Sequence, residues 1–277
     1  MSEFTSHPKA PAHHRARKRF GQNFLVDQTI INRIVEAIDP QPGQHIVEIG
    51  PGQAAITRKL INALGANGSI DAIEIDRDLV ARLTHEFDAS KLRVHQADAM
   101  AFDFATLPLP LRVVGNLPYN ISTPILFRLC EFESRLSDLT FMLQKEVVDR
   151  MAASAGDGER GRLSVMLQYR FKIEKCFDVP PTAFKPVPSV DSSIVRLVPL
   201  NEKRLRPKDE TLFAQIVTTA FTQRRKMLRK SLGAWMTPEA WIESNVNPQA
   251  RAEELTCEEF VAISDWVFGK KADTALS

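Results

Sequence analysis

The chain has 277 residues, of which 44% are hydrophobic and 25% charged, with a formal net charge of +2. This composition is typical of a soluble protein with one large and one smaller domain. It argues against membrane insertion, since no run approaches the roughly 18 apolar residues of a span, and against secretion, since the N-terminus has no apolar signal segment. We therefore expect a cytoplasmic protein. Cys130, Cys176 and Cys257 are odd in number and far apart, so we predict neither disulfides nor a metal site and interpret them as small buried side chains.

The first part of the chain has the pattern of an α/β protein. A polar leader, residues 1–16, is expected to be disordered. Between residues 17 and 200, apolar runs of strand length alternate with helical patterns, as in a parallel sheet covered by helices. Strands are predicted at residues 45–49, 69–75, 91–96, 111–115, 139–143, 172–179 and 192–198. The prolines of residues 180–188 predict an exposed, fairly rigid loop before the last strand.

A glycine-rich turn follows the first predicted strand and opens a helix. Gly50, Gly52 and Ala55 match the spacing of a dinucleotide-binding fingerprint, and Glu74 ends the next strand, where an acid accepts from ribose hydroxyls. A nicotinamide enzyme is therefore one interpretation. Pro51 weakens it, because proline removes an amide donor that would help to hold a pyrophosphate. S-adenosyl-L-methionine, which has no phosphate, is the other interpretation.

A third acid follows the third predicted strand. Asp98 is placed to accept from an adenine amine, while the main-chain amide of Ala99 donates to the ring. Ligands of open α/β sheets bind at the carboxyl ends of the strands. In this arrangement Gly50 lies beside the methionine part, Glu74 holds the ribose, and Asn116, after the fourth strand, lies next to the sulfonium methyl. Each element alone is also explained by a helix cap or a simple turn.

The motif Asn116-Leu117-Pro118-Tyr119 ends the fourth predicted strand. An aromatic amine such as adenine N6 is a poor nucleophile because its lone pair is delocalised into the ring. Two acceptors, the amide oxygen of Asn116 and the carbonyl of Leu117, would draw this nitrogen towards tetrahedral geometry. Pro118 fixes the backbone, and Tyr119 can stack on the base. The alternative is an ordinary proline turn.

The last part of the chain, residues 201–277, predicts a small helical domain. Its apolar residues recur at three- and four-residue steps, which indicates one buried helix face. This face comprises Phe213, Ile216, Val217, Ala220, Phe221, Leu228 and Leu232. Trp235, Trp241 and Trp266 are expected to build the core of this domain.

Positive charge is concentrated in two segments of the chain. The first includes Arg15, Arg17, Lys18 and Arg19. The second, called here the basic cluster, comprises Arg224, Arg225, Lys226, Arg229 and Lys230. Both are candidates for binding phosphates. The alternative is a solvated tail and a solvated helix face.

Four segments together resemble a known family over nearly the whole chain. They are RKRFGQNFL at 17–25, VEIGPG at 47–52, GNLPYNIS at 115–122 and VPPTAFKP at 179–186. The chain resembles the small-subunit rRNA adenine dimethyltransferases. This resemblance implies a Rossmann-like class I S-adenosyl-L-methionine-dependent methyltransferase domain, with a small all-helical C-terminal domain that contacts RNA or the subunit. It also implies N6,N6-dimethylation of two adjacent adenines in the 3′-terminal hairpin loop of 16S rRNA, in a pre-30S particle.

The resemblance also assigns roles to particular residues. It implies that Asn23 and Leu25 close over the cofactor, and that Tyr119 and Phe184 sandwich the target base. No general base is expected in these motifs, because a methylated aminium is acidic and can lose its proton to water. Ala54 replaces a glycine found in many methyltransferases. A positive φ at this residue would cost about 1 kcal/mol and weaken cofactor binding.

Two further interpretations remain open at this stage. One is a related methyltransferase acting on large-subunit rRNA, which would confer macrolide resistance; the RKRFG segment at 17–21 favours the small subunit. The other is a ribosome assembly factor for which methylation is secondary, because both roles need the same phosphate contacts. A monomer is expected.

Overall fold

The computed structural model describes residues 23–119 and 121–275, with side chains as far as residue 270. The leader and the predicted RNA-binding residues Arg17, Lys18 and Arg19 lie outside the described residues. Within the described ranges, no helix is long and apolar enough to cross a membrane.

A seven-stranded sheet forms the centre of the first part of the chain. The strands of the described residues are β1 Phe24–Leu25, β2 His45–Ile49, β3 Ser69–Glu74, β4 Leu92–Gln96, β5 Leu111–Asn116, β6 Leu136–Gln144, β7 Phe171–Val179, β8 Phe184–Lys185 and β9 Ser192–Pro199. The sheet order is β4-β3-β2-β5-β6-β9-β7. Strands β4, β3, β2, β5 and β6 are parallel, whereas β9 is antiparallel to both β6 and β7. All seven strands predicted from the sequence are confirmed within a few residues.

Helices cover the sheet and form most of the C-terminal part. They are α1 Gln28–Ile38, α2 Ala55–Leu64, α3 Arg77–Glu86, α4 Ser122–Cys130, α5 Lys145–Ala152, α6 Arg162–Gln168, α7 Glu210–Thr222, α8 Leu228–Ser231, α9 Pro238–Glu243 and α10 Cys257–Ala275. Side-chain caps fix several of their starts. The carboxylate of Asp27 accepts from the backbone amides of Thr29 and Ile30, and Asp209 caps α7 in the same way.

The central strands are buried on both faces. Successive residues of β2 and β5 contribute to different apolar clusters: Val47 and Val113 to one, Ile46 and Val114 to the other. This is the period-2 alternation of a strand between two helical layers. Continuous burial explains why these strands are hydrophobic runs in the sequence.

A third apolar cluster joins two parts of the chain. Val165 and Met166 of α6, together with Tyr169, pack with residues of α7 and α10. The buried Arg204 and the half-buried Arg170 both pair with Glu133, at 2.8 and 2.7 Å, and both also pair with Glu210. Since buried charges are stable only when paired, this network anchors the C-terminal helices to the sheet side. The division at residue 201 remains a prediction.

The spacing of the apolar residues predicted that the basic cluster lies on one continuous helix. The structure shows that it does not. Helix α7 ends at Thr222, and a turn precedes α8. The amide of Leu228 donates to Ala250, and Arg224 donates to the carbonyls of Gly158 and Arg160. These tertiary hydrogen bonds replace hydrogen bonds that a continuous helix would have made. All five side chains of the cluster are nevertheless exposed.

The proline-rich segment differs from its predicted exposed loop. Ala183 and Phe184 are buried, at 0% and 3% exposure, and β8 pairs antiparallel with β1. The amide of Val26 donates to the carbonyl of Ala183 at 2.9 Å. Local proline content contains no information about this distant pairing partner, and the rigidity of the segment remains a prediction.

The three cysteines were predicted to be buried, but they are free thiols of intermediate burial that pack at the margins of the apolar clusters. Cys130 ends α4, Cys257 begins α10, and Cys176 lies on the edge strand β7. Residues at the end of a helix or on the edge strand of a sheet have one side exposed to solvent, which explains the intermediate burial of these cysteines. Trp241 is buried, as expected for a core residue, while Trp235 and Trp266 are partly buried against the same cluster.

We predict that Gly115→Ala lowers the free energy of unfolding by about 2–4 kcal/mol. A Cβ atom at Gly115 would lie 2.5 Å from the carbonyl oxygen of Ile49, a backbone atom that cannot rotate away. Gly269→Ala in α10 is the control, because nothing lies within 4 Å of its added Cβ; it should raise stability by up to about 1 kcal/mol. Urea unfolding measures both. Wild-type stability for Gly115→Ala would contradict the close strand contact.

Candidate active site

One cleft lies at the carboxyl ends of β2, β3 and β5, beneath the β1–β8 ribbon. It contains all the residues that the sequence and the resemblance assigned to cofactor or base. They are Asn23, Leu25, Gly50, Gly52, Glu74, Asp98, Ala99, Asn116, Leu117, Pro118, Tyr119 and Phe184. The structure therefore brings together residues that are far apart in the chain, such as Asn23 and Phe184. Their individual roles remain predictions.

The glycine turn after β2 has three residues with positive φ. Gly50, Gly52 and Ala54 have φ of 68°, 56° and 62°. A Cβ atom at Gly52 would meet the ring of Phe24 at 3.4 Å. Ala54 is therefore in the strained region that the sequence analysis considered, at a cost of about 1 kcal/mol. Its methyl group is fully buried, and this burial offsets part of the cost.

The carboxylate of Glu74 is joined to the glycine turn. It is 5% exposed and accepts from the amides of Gly52 at 3.3 Å and Asp76 at 2.9 Å. Burial raises the pKa of Glu74, and the two amides counteract part of this effect. The contact fixes the end of β3 against the turn after β2. The same carboxylate is placed to accept from hydroxyl groups of a ligand.

A second buried carboxyl group lies directly below the turn. Glu48 is 2% exposed, and within the described chain its Oε2 atom makes no hydrogen bond. Burial raises the pKa of Glu48 to about 7, and the charge of Glu74 adds to the rise. Sequence analysis did not treat Glu48 as a site residue. An acidic residue inside an otherwise apolar strand was the available signal.

Asp98 and Ala99 follow β4 at the adjacent edge of the cleft. One carboxylate oxygen of Asp98 accepts from the amide of Met100 at 2.9 Å, which fixes the side chain of this exposed residue. The second oxygen can then accept from a ligand amine. Ala99 is 6% exposed, and its small side chain packs against the apolar cluster of β5 and β6.

Asn116 is the last residue of β5, next to the turn after β2. Its amide nitrogen donates to the carbonyl of Asn23 at 3.3 Å. This bond sets the orientation of the amide group, and its oxygen is the acceptor that Asn116 can offer to a ligand. The amide of Leu117 donates to the carbonyl of Met142 at 3.2 Å, and the carbonyl of Pro118 accepts from Ile121 at 3.1 Å. The backbone of the motif is thus held from both sides.

The two aromatic residues of the predicted base pocket differ in exposure. Tyr119 is half-buried, and its hydroxyl lies 3.2 Å from the Oγ atom of Ser192. Phe184 is 3% exposed, because β8 places it beside Leu25 of β1. Stacking a base on the full face of Phe184 would require the ribbon to open. The sandwich role of this pair stays a prediction.

Several residues of the cleft were not predicted. Phe24, Gln53, Ile75 and Ile121 also line it. Ile75 is 49% exposed directly after Glu74, and its position next to a predicted ligand-binding acid was the available signal. Phe24 lies between two predicted contacts and packs against Gly52.

Comparison with known proteins identifies the class to which this fold and cleft belong. Among solved structures, the 23S rRNA methyltransferase ErmE has a TM-score of 0.71 and 26% identity, covering 89% of this chain and 100% of its own. A dimethyladenosine transferase from Plasmodium falciparum shares the fold, with a TM-score of 0.73 at 23% identity over 86% of this chain and 95% of its own. The fold is that of a Rossmann-like class I S-adenosylmethionine-dependent methyltransferase.

The family follows from closer relatives. "Ribosomal RNA small subunit methyltransferase A" of Aromatoleum aromaticum is 54% identical over 257 residues, 93% of this chain and 96% of that protein. The protein of the same name from Thiobacillus denitrificans is 51% identical, over 92% of this chain and 98% of its own. The model of the ribosomal RNA adenine dimethylase family matches residues 13–268. The chain belongs to this family, and the nicotinamide interpretation is wrong.

We predict that Glu48→Gln removes a pH dependence of stability. An acid whose pKa rises from 4.5 to about 7 on folding stabilises the fold fully below pH 4.5, and this contribution is lost as pH rises towards 7. The free energy of unfolding of the wild type should therefore fall by about 1–3 kcal/mol between pH 5 and 8. That of Glu48→Gln should not show this fall. Urea unfolding across this range measures the difference. The exposed Glu36→Gln is the control, and parallel profiles for all three proteins would contradict the prediction.

Proposed function

We propose that this protein transfers methyl groups from S-adenosyl-L-methionine to N6 of two adjacent adenines in the 3′-terminal hairpin loop of 16S rRNA. It acts late in assembly, as a monomer, on a pre-30S particle in the cytoplasm. The observation that carries the proposal is the position of Asn116, whose oriented amide lies in one cleft with Gly50, Glu74 and Asp98. The small subunit is favoured because the relatives that are about half identical carry its name, whereas ErmE is 26% identical.

The turn after β2 fits this cofactor better than a pyrophosphate. The amide of Gly50 donates to Ile73 and that of Gly52 to Glu74, while Ala54 donates to the carbonyl of Pro51. Pro51 has no amide hydrogen. The turn therefore offers a carboxylate where a phosphate site needs free amides. This chemistry suits the positive charges of a sulfonium and an ammonium group.

The residues after β5 supply the chemistry on the acceptor side. The bound cofactor provides an electrophilic methyl group on sulfonium. The amide oxygen of Asn116 and the carbonyl of Leu117 accept from the two N6 hydrogens, so that the nitrogen lone pair points at the methyl carbon. The C–N bond forms as the S–C bond breaks, and the aminium proton leaves to water. Positioning and these two acceptors account for the catalysis, without a side chain acting as a base.

A hairpin loop is a suitable substrate for such a cleft. Its bases are unpaired or weakly stacked, so turning one into the cleft costs only a few kcal/mol. Tyr119 provides an aromatic face for the extracted base. The second methyl transfer to the same nitrogen needs space for the first methyl group beside this ring.

The basic cluster is proposed to bind the rRNA backbone outside the cleft. Its five side chains are exposed, and no acid lies between residues 221 and 232. Phosphate contacts of this kind position the substrate without reading its sequence. Arg224 also holds the loop at Gly158 through two hydrogen bonds, so it has a structural role in addition.

We predict that Asn116→Ala lowers methyl transfer at least about 100-fold, because one of the two acceptors is lost. Labelled S-adenosylmethionine and purified small subunits lacking the modification measure the rate, and mass spectrometry locates dimethyladenosine. The exposed Asn32→Ala on α1 is the matched control and should transfer normally.

The same assay tests the alternatives. Transfer only to protein-free large-subunit rRNA would contradict the small-subunit assignment, and a normal rate for Asn116→Ala would contradict the role of this residue. Wild-type protein that binds subunits without transferring methyl groups would favour an assembly factor.

We predict that Arg225→Glu with Lys226→Glu weakens subunit binding about tenfold or more and reduces its dependence on salt. Lys203→Glu with Lys208→Glu changes the net charge equally at exposed positions outside the cluster. This control should alter the salt slope little. Filter binding at several salt concentrations measures both, and equal effects of the two variants would indicate net charge rather than a local contact.

A further inference from the structure

The hydroxyl group of Tyr119 contacts a buried serine on a different strand. Ser192 is 1% exposed, and its Oγ atom lies 3.2 Å from the tyrosine oxygen. It is the first residue of β9 and pairs with Gln144 of β6 and Val179 of β7. A residue held between two strands has little freedom to move, so it is a rigid anchor for the hydroxyl group of the tyrosine.

Within residues 23–119 and 121–275, the other hydrogen bond of Tyr119 to a side chain is made by its backbone. Its carbonyl accepts from the Oγ atom of Ser122 at 3.1 Å, and Pro118 precedes it. These contacts place the Cα atom but do not involve the ring. The hydrogen bond from the far end of the ring to Ser192 limits rotation of the ring.

The neighbouring serine shows that burial alone does not explain the contact. Ser193 is 0% exposed, yet its Oγ atom donates to Asp178 at 2.6 Å. Successive strand residues point to opposite faces of the sheet. The hydroxyl groups of these two buried serines therefore lie on opposite faces of the sheet, and that of Ser192 is the one that contacts Tyr119.

We propose that Ser192 is a positioning residue for the methyl acceptor. It holds the Tyr119 ring at a fixed angle, so that a stacked adenine presents N6 to Asn116 and to the methyl group. A fixed ring also sets the space available for N6-methyladenine in the second transfer. This inference rests on the proposed function, in which Tyr119 stacks on the target base.

The test compares Ser192→Ala, Tyr119→Phe and the double variant on small subunits. Each single change deletes the same hydrogen bond, so each should lower kcat about fivefold, the equivalent of about 1 kcal/mol. The double variant should be no slower than either. The KM for S-adenosylmethionine should stay unchanged, and the fraction of monomethylated product should rise. Ser192→Thr, which keeps the hydroxyl, should restore kcat and the dimethylated product.

Ser193→Ala is the matched control and should leave kcat and the product ratio unchanged. A normal kcat and normal products for Ser192→Ala would overturn the proposal. It would also be overturned if the decrease in kcat of the double variant equalled the product of the two single decreases. Tyr119→Phe keeps the ring and removes only the hydroxyl, so it provides the test even if Ser192→Ala fails to fold. Tyr119→Ala separates the two hypotheses. Normal methyl transfer by Tyr119→Ala would show that stacking of the base on Tyr119 is wrong. Loss of transfer in Tyr119→Ala together with normal transfer by Ser192→Ala would refute only the positioning role of Ser192.

Discussion

The close approach of β2 and β5 at their carboxyl ends is the constraint on which the site depends. Ile49 and Gly115 are paired in the parallel register, and no side chain fits at Gly115. Neighbouring strands lie about 4.8 Å apart. The glycine turn after β2 and Asn116 at the end of β5 are therefore adjacent. In the proposed function, the methyl donor and the acceptor nitrogen meet at strand ends whose separation is set by backbone hydrogen bonds rather than by flexible side chains.

In the proposed function, the two ligands bind at surfaces of opposite charge. The cleft contains the carboxylates of Glu74 and Asp98, which suit a cationic cofactor and its hydroxyl and amine groups. The basic cluster is exposed on the C-terminal part, where it suits phosphates. An acidic cleft also disfavours binding of an RNA backbone inside it. In the proposed function, only a base without its phosphates needs to enter.

The β1–β8 ribbon connects the proposed cofactor contacts to the proposed base contacts. Leu25 pairs with Phe184, and Asn23 accepts from Asn116. Opening the ribbon to expose Phe184 would also displace residues expected to close over the cofactor. Residues of both proposed sites therefore share one small element, which contains two residues per strand.

The sequence by itself determined the seven main strands, the glycine turn and the acids at the strand ends. These features depend on local spacing: strands buried on both faces are continuous apolar runs, and turns need glycine or proline. The resemblance added Asn23, Leu25 and Phe184, which no spacing indicated. Tertiary structure alone decided the β1–β8 pairing, the break between α7 and α8, the burial of Glu48 and the contact between Tyr119 and Ser192. Each of these joins residues that are distant in the chain or depends on burial by distant residues, and a periodic pattern contains no information about such partners.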